Sequence, residues 1–200
     1  MSKRKTITLE LIILTFAIGL LMNGSWIHIK ANLAYSLIDN AWHKSQLQQS
    51  PQKPWPWADT WPVAKLSFAG SDNLLVMSGT HGEALAFGPG YDTSSSLPGE
   101  AGPVIIAGHR DTHFKQIKHL ENGDIISLED QHKEMHQYQV SELTVVDSRV
   151  SKQITASDDE HLILITCYPF FTLNTGGPLR YVVVANKLLP PKKEIIHHSL

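Results

Sequence analysis

The chain is 200 residues long, 42% hydrophobic and 18% charged, with a formal net charge of -2. That apolar share suffices for one buried core, which excludes disorder over most of the chain and points to a single globular unit. The balanced charge, with no Lys/Arg block beyond the first few residues, excludes an electrostatic nucleic-acid surface, and a lone cysteine excludes an intramolecular disulfide.

Lys3-Arg4-Lys5 precedes an apolar stretch at 7–29 that is broken by Glu10 and by Asn23-Gly24 and runs uninterrupted over 11–22. An apolar run of this size fits either a cleaved signal peptide or a retained anchor. No small-x-small cleavage site follows it, and the flank Ser25-Trp26-Ile27-His28-Ile29 has the aromatic character of a membrane interface, so an anchor is expected over 1–30. The basic tip then stays in the cytoplasm and the rest of the chain lies outside the inner membrane. A buried amphipathic helix of a cytosolic protein is the weaker alternative.

Residues 31–56 are expected to form an amphipathic helix and a linker. Leu33, Leu37, Ala41 and Trp42 fall at helical intervals, and the stretch 48–54 is polar and Pro-rich. The run Trp55-Pro-Trp-Ala-Asp-Thr-Trp-Pro62 either covers apolar surface or shades a cleft; packing on an outer wall is the expected role. From there short β-rich runs take over, at 63–68, 73–78, 104–108, 124–128, 134–143, 161–166 and 179–186, with turn signals such as Asn122-Gly123-Asp124. This pattern predicts a mainly β fold, a closed or partly closed barrel over 57–189. The polar tail 190–200 is expected to be frayed.

The chemistry concentrates at three strand ends. Cys167 ends the apolar run His161-Leu-Ile-Leu-Ile-Thr-Cys167 and meets a Pro-containing break; His109 follows Pro103-Val-Ile-Ile-Ala-Gly108; Arg180 opens Leu179-Arg-Tyr-Val-Val-Val-Ala185. A thiol in a core is most often a small hydrophobe. As a nucleophile it needs a base or charge partner and a cationic donor for the oxyanion, brought together from distant parts of the sequence. His109 and Arg180 fit those roles. His113 and His119 compete for the base; His113 reads better as a turn residue and His119 as a solvated one. Asp111 either orients a histidine or caps a helix starting near Thr112, and capping is expected.

These residues resemble the catalytic trio of the sortases, cysteine transpeptidases of the bacterial cell surface. The likeness covers about 57–188 and rests on Ala-Gly-His-Arg-Asp-Thr-His-Phe at 107–114, Leu-Ile-Thr-Cys at 164–167 and Leu97-Pro98-Gly99-Glu100. With the tryptophan run and Leu85-Ala-Phe-Gly-Pro-Gly90, it is most similar to the Gram-negative class GN. Ile163 departs from the family signature, which has Thr there, so the hydrogen bond of that Thr is not expected.

The resemblance implies an eight-stranded barrel with one or two short helices near 83–87 and 112–120. It implies a Cys167 thiolate attacking a backbone carbonyl, His109 protonating the departing amine, and Arg180 holding the oxyanion. Ala107, Leu164 and Thr166 are expected substrate-binding positions, Thr166 by placing backbone beside the sulfur. The implied partners are a secreted protein bearing a C-terminal signal like Leu-Pro-x-Thr-Gly, an amine acceptor and, through the anchor, inner-membrane lipid, with the catalytic unit periplasmic and no metal or organic cofactor. Three rival readings stand beside it. A metal-binding or metallohydrolase module would use His109, Asp111 and His113; an L,D-transpeptidase would need a Ser-His-Gly-Cys type motif, which the sequence lacks; a noncatalytic surface-protein assembly factor would need an inert, buried Cys167.

Overall fold

The computed structural model describes residues 3–70, 73–150, 159–172 and 176–188; the expected tail at 190–200 lies outside them. In chain order the strands are β1 (Pro62–Phe68), β2 (Leu74–Ser78), β3 (Gly90–Tyr91), β4 (Pro103–Ala107), β5 (Ile125–Asp130), β6 (Met135–Asp147), β7 (His161–Cys167) and β8 (Leu179–Lys187). Alternation of apolar and polar residues sets their faces: β1 buries Pro62, Ala64, Leu66 and Phe68, and β5 buries Ile126, Leu128 and Asp130. They close into a barrel in the order β1-β2-β3-β4-β7-β8-β6-β5. Neighbours are antiparallel except β2–β3 and β4–β7. Its interior is filled from every side by residues such as Leu66, Ile106, Ile126, Tyr138, Leu164 and Val183.

The strands expected from the sequence are present, with two differences. The β6 strand runs on to Asp147, because it pairs with the whole of β8 through a register shift between Val140 and Glu142. The β3 strand has two residues, too few to show a period. Helix α2 (Gly82–Phe87) matches its expectation. The helix expected at 112–120 does not form: turns lead into a 3-10 turn, Ile117–His119. Phe114 and Ile117 are both fully buried there, and i to i+3 hydrogen bonds put both side chains into the core.

The apolar N-terminal stretch and the amphipathic helix expected after it are one continuous helix, α1 (Lys3–Gln48). Its length and composition suit a membrane crossing. Leu11, Phe16, Leu21 and Ile27 are exposed, whereas Ile38, Ala41, Trp42, Ser45 and Gln46 are buried against the barrel. Gln49, in the left-handed region at φ 52, ends the helix, and Pro51 follows. Trp55 then packs edge-on against Phe87 at 5.5 Å, on the outer wall beside Ile38, Met77 and Ala84.

Two rims result. The C-terminal ends of β4 and β7 and the start of β8 form one. The opposite rim carries a linked set of charged groups. His136 Nε2 lies 3.0 Å from Asp130 Oδ2 and its Nδ1 lies 2.8 Å from Lys187 Nζ. Lys187 bonds both oxygens of Glu160 at 2.6 and 2.8 Å, and Glu160 also accepts from Tyr138 (2.6 Å) and from the Gly99 amide (3.0 Å).

Candidate active site

Pairing of β7 with β8 puts Cys167 directly opposite Arg180, which sets their Cα atoms about 5 Å apart. On its other side β7 lies parallel to β4, with Ala107 level with Ile165. The ladder continues one step further: the Gly108 amide donates to the Ile165 carbonyl at 3.0 Å and the Thr166 hydroxyl donates to the Gly108 carbonyl at 2.7 Å. The next residue, His109, therefore arrives level with Cys167. Three neighbouring strands deliver the imidazole, the sulfur and the guanidinium in one row, with the sulfur in the middle.

Side-chain alternation decides which face they share. Leu162, Leu164, Val183 and Ala185 point into the core, so Cys167, Ile165, Ala107 and Arg180 belong to the outer face of the sheet. His109 is exposed and Cys167 and Arg180 are half-buried. Below the sulfur this face is apolar: Ile105, Ala107, Ile163, Ile165, Val182 and Val184 make a floor one strand wide on either side. Among the residues expected to bind substrate, Ala107 lies on this floor. Leu164 sits wholly in the core, and Thr166 is buried with its hydroxyl engaged by Gly108. Both are placed to hold β7 in position beneath the thiol.

The turn after His109 is built by its own carbonyl, which accepts from the Thr112 and Phe114 amides at 3.3 and 3.0 Å. The Phe114 ring folds back over Gly108 so closely that a Cβ there would lie 2.7 Å from it. Only glycine at 108 lets the turn close and aim the imidazole along the strand.

Sequence reasoning missed Arg110. It is 6% exposed and bonds both oxygens of Asp111 at 3.0 Å, the Pro169 carbonyl at 2.6 Å and the Thr172 carbonyl at 3.3 Å. It thereby ties the turn after His109 to the segment after Cys167. Asp111 is accordingly a partner of Arg110, not the helix cap expected, and the 3-10 turn has no side-chain cap. The hydrogen bond from Arg110 holds the Asp111 carboxyl below the usual carboxylate range, and the charge of His109 adds to this. In return the Asp111 hydrogen bond favours the charged guanidinium of Arg110 and outweighs burial, which opposes it; the Asp111 charge and the nearby Cys167 add to the effect. The sequence signal was an Arg-Asp pair directly after the histidine, but its burial depends on the 168–172 segment folding across it.

Arg180 donates from Nη1 to the Gly177 carbonyl at 2.6 Å and to its own neighbour's, Leu179, at 2.9 Å. Tyr168, Phe170 and Tyr181 close the barrel beside the sulfur, with ring centroids 5.1 to 6.4 Å apart. His113 is half-buried, and desolvation followed by the charge of His109 holds it neutral to lower pH than usual. It lines a crevice with Tyr35 and Ile38 of α1.

The metal-binding alternative finds no support at His109, Asp111 and His113, since Arg110 occupies both Asp111 oxygens. Among the described residues the set with metal-ligand spacing is Asp130, Glu134 and His136, on the opposite rim. There the Lys187 ammonium lies against one His136 nitrogen and Asp130 takes the other, so a cation would meet a positive charge in place of a free ligand.

A family model described as the sortase domain matches residues 69–188. Sortase D of Bacillus subtilis (strain 168) is 34% identical over 116 residues, 58% of this chain and 58% of that one. Sortase A from Corynebacterium diphtheriae superposes with a TM-score of 0.59 at 26% identity, covering 68% of this chain and 65% of its own. The match thus spans less than two thirds of the length of these two relatives. A Clostridium perfringens sortase D5 transpeptidase shares the fold, with a TM-score of 0.62 at 19% identity, over 78% of this chain and 99% of its own. The row of side chains across β4, β7 and β8 lies inside the matched stretch, and the chain belongs to the sortase family.

Proposed function

We propose that this protein is a membrane-tethered transpeptidase of the Gram-negative class GN type, acting on a C-terminal sorting signal of a secreted protein. The observation that carries this reading is the pairing of Cys167 with Arg180 beside the strand that delivers His109. In the reaction, the Cys167 thiolate adds to the scissile carbonyl, and the tetrahedral oxyanion takes hydrogen bonds from Arg180. The C–N bond breaks as imidazolium His109 gives its proton to the leaving amine, which leaves an acyl thioester on the sulfur. An amine acceptor then attacks the thioester, its proton passes to His109, and the thiolate is released; water in the same place gives hydrolysis. The apolar floor around Ala107 and Ile165 suits an extended peptide with small or aliphatic side chains. By family resemblance the signal is like Leu-Pro-x-Thr-Gly.

The catalytic unit is taken as 57–189, carried by an anchor at 1–30 and a helical, then Pro-rich, connection at 31–56. The anchor places the N-terminus in the cytoplasm and the barrel in the periplasm. The test is incubation of the full chain in detergent with a panel of sorting-signal peptides, with mass spectrometry of the protein. A thioester adduct is expected on the parent and none on Cys167→Ala; cleavage by Cys167→Ala at the parent rate would overturn the reading.

A further inference from the structure

We infer that α1 holds the barrel with its catalytic rim facing the lipid bilayer, so that the scissile bond is met within a short distance of the headgroups. The inference rests on the reading of α1 as a retained membrane anchor.

Its first support is the direction in which α1 crosses the barrel. Tyr35 and Ile38 border a crevice of about 340 Å³ together with Asn73, Leu74 and His113, all at the Cys167 rim. Further along, Trp42 is fully buried with Lys65 over its ring at 6.0 Å, and Gln46 donates to Glu129 at 2.6 Å. At the end, Gln49 bonds the Gln131 carbonyl and the His132 ring, at the opposite rim. The helix therefore runs down the barrel wall from the catalytic rim to the far rim. Followed back towards its N-terminus, it leaves the barrel at the catalytic rim and continues into the exposed apolar stretch that ends near Ile29. At the helical rise, the six residues from Ile29 to Tyr35 span about 9 Å. The connection is helical and docked, so it fixes an orientation that a loose tether would not.

The second support is the surface of that rim. Phe171, four residues past the sulfur, is 88% exposed, with Lys118 over its ring at 4.8 Å; Val150, just beyond the end of β6, is 79% exposed and follows Arg149, whose guanidinium is paired with Asp147. Apolar side chains standing in water, one of them beside a lysine, are what a bilayer interface takes up, the ring and chain in the acyl boundary and the Lys118 ammonium among phosphates. The partner is thus a lipid surface.

The test uses the full chain with Cys167→Ala, reconstituted in vesicles of phosphatidylethanolamine and phosphatidylglycerol. Single cysteines are introduced as Phe171→Cys or Val150→Cys at the catalytic rim and as Met135→Cys, also exposed, at the far rim. Each is labelled with an environment-sensitive fluorophore and challenged with nitroxide-headgroup lipid. Quenching several-fold stronger at 171 and 150 than at 135 is expected. Equal quenching, or stronger quenching at 135, in protein that resists carbonate extraction overturns the orientation alone. Release of the protein by carbonate, or a mature mass lacking the apolar segment, overturns the anchor reading and the orientation with it.

Discussion

Arg180 and Arg110 flank the sulfur from two sides and are expected to behave differently on substitution. Arg180→Lys keeps the charge and loses the planar fork, so kcat should fall on the order of 100-fold, the loss typical of one oxyanion donor, with thermal stability unchanged. Arg110 does not face the peptide floor; it bridges the turn after His109 to the segment after Cys167. It is a positioning residue. Arg110→Met should lower kcat and also loosen the 168–172 segment, seen as faster amide exchange there, whereas Arg180→Lys should leave that exchange as it was. The sequence made the sulfur, imidazole and Arg180 legible because each ends or opens a run of β-branched residues. Arg110 was not legible, since nothing local says that an arginine beside an exposed histidine will be covered by a loop from the other end of the domain.

At the scale of the elements, the turn after β4 depends on Gly108. Gly108→Ala would bring a methyl group to 2.7 Å from the Phe114 ring, and the overpacking should cost about 1–3 kcal/mol and shift His109. The double variant with Phe114→Leu should recover part of the activity lost by Gly108→Ala; a stability scan and kcat on the same peptide check both. The far rim supplies a pH dependence. Burial pushes the Glu160 carboxyl up, but hydrogen bonds from Lys187, Tyr138 and the Gly99 amide, with the Lys187 charge, outweigh it and hold the carboxyl below its ordinary 4.5. A depressed folded value means that the stabilisation is present above the unfolded value and is lost as pH falls through the folded one. Glu160→Gln should therefore destabilise by about 2 kcal/mol near neutral pH and flatten the decline of Tm below pH ~4.5. A steeper decline in the variant would contradict this. The regular strands were legible by their period, but β3 was too short to show one. At 112–120 the spacing of Phe114 and Ile117 satisfies a 3-10 turn as well as a helix, and the need to seat Phe114 on Gly108 decided between them.

For the whole molecule, the barrel and its stalk form one piece because Trp42 and Ile38 are buried where helix meets wall. Trp42→Ala should release the lower half of α1, at a cost of about 3–5 kcal/mol to the docked state. Limited proteolysis checks this: cleavage near 48–54 should speed up while peptide cleavage by the detergent-solubilised enzyme holds. The sequence showed an apolar stretch and an amphipathic one in succession; that they join without a break, and which rim they point from, depended on tertiary contacts with Lys65, Glu129 and the β5–β6 hairpin.

The parallel pairing of β4 with β7 has a consequence for biosynthesis. The strands that meet there are separated by β5 and β6, and the strand bearing Arg180 is the last of the barrel. Contacts between such remote segments form late, after the costly long loops have closed. While the polypeptide is still being made, its sulfur has no guanidinium opposite it. The row of imidazole, sulfur and guanidinium is complete only once the final strand has paired, so a chain lacking that strand carries its cysteine as an ordinary thiol.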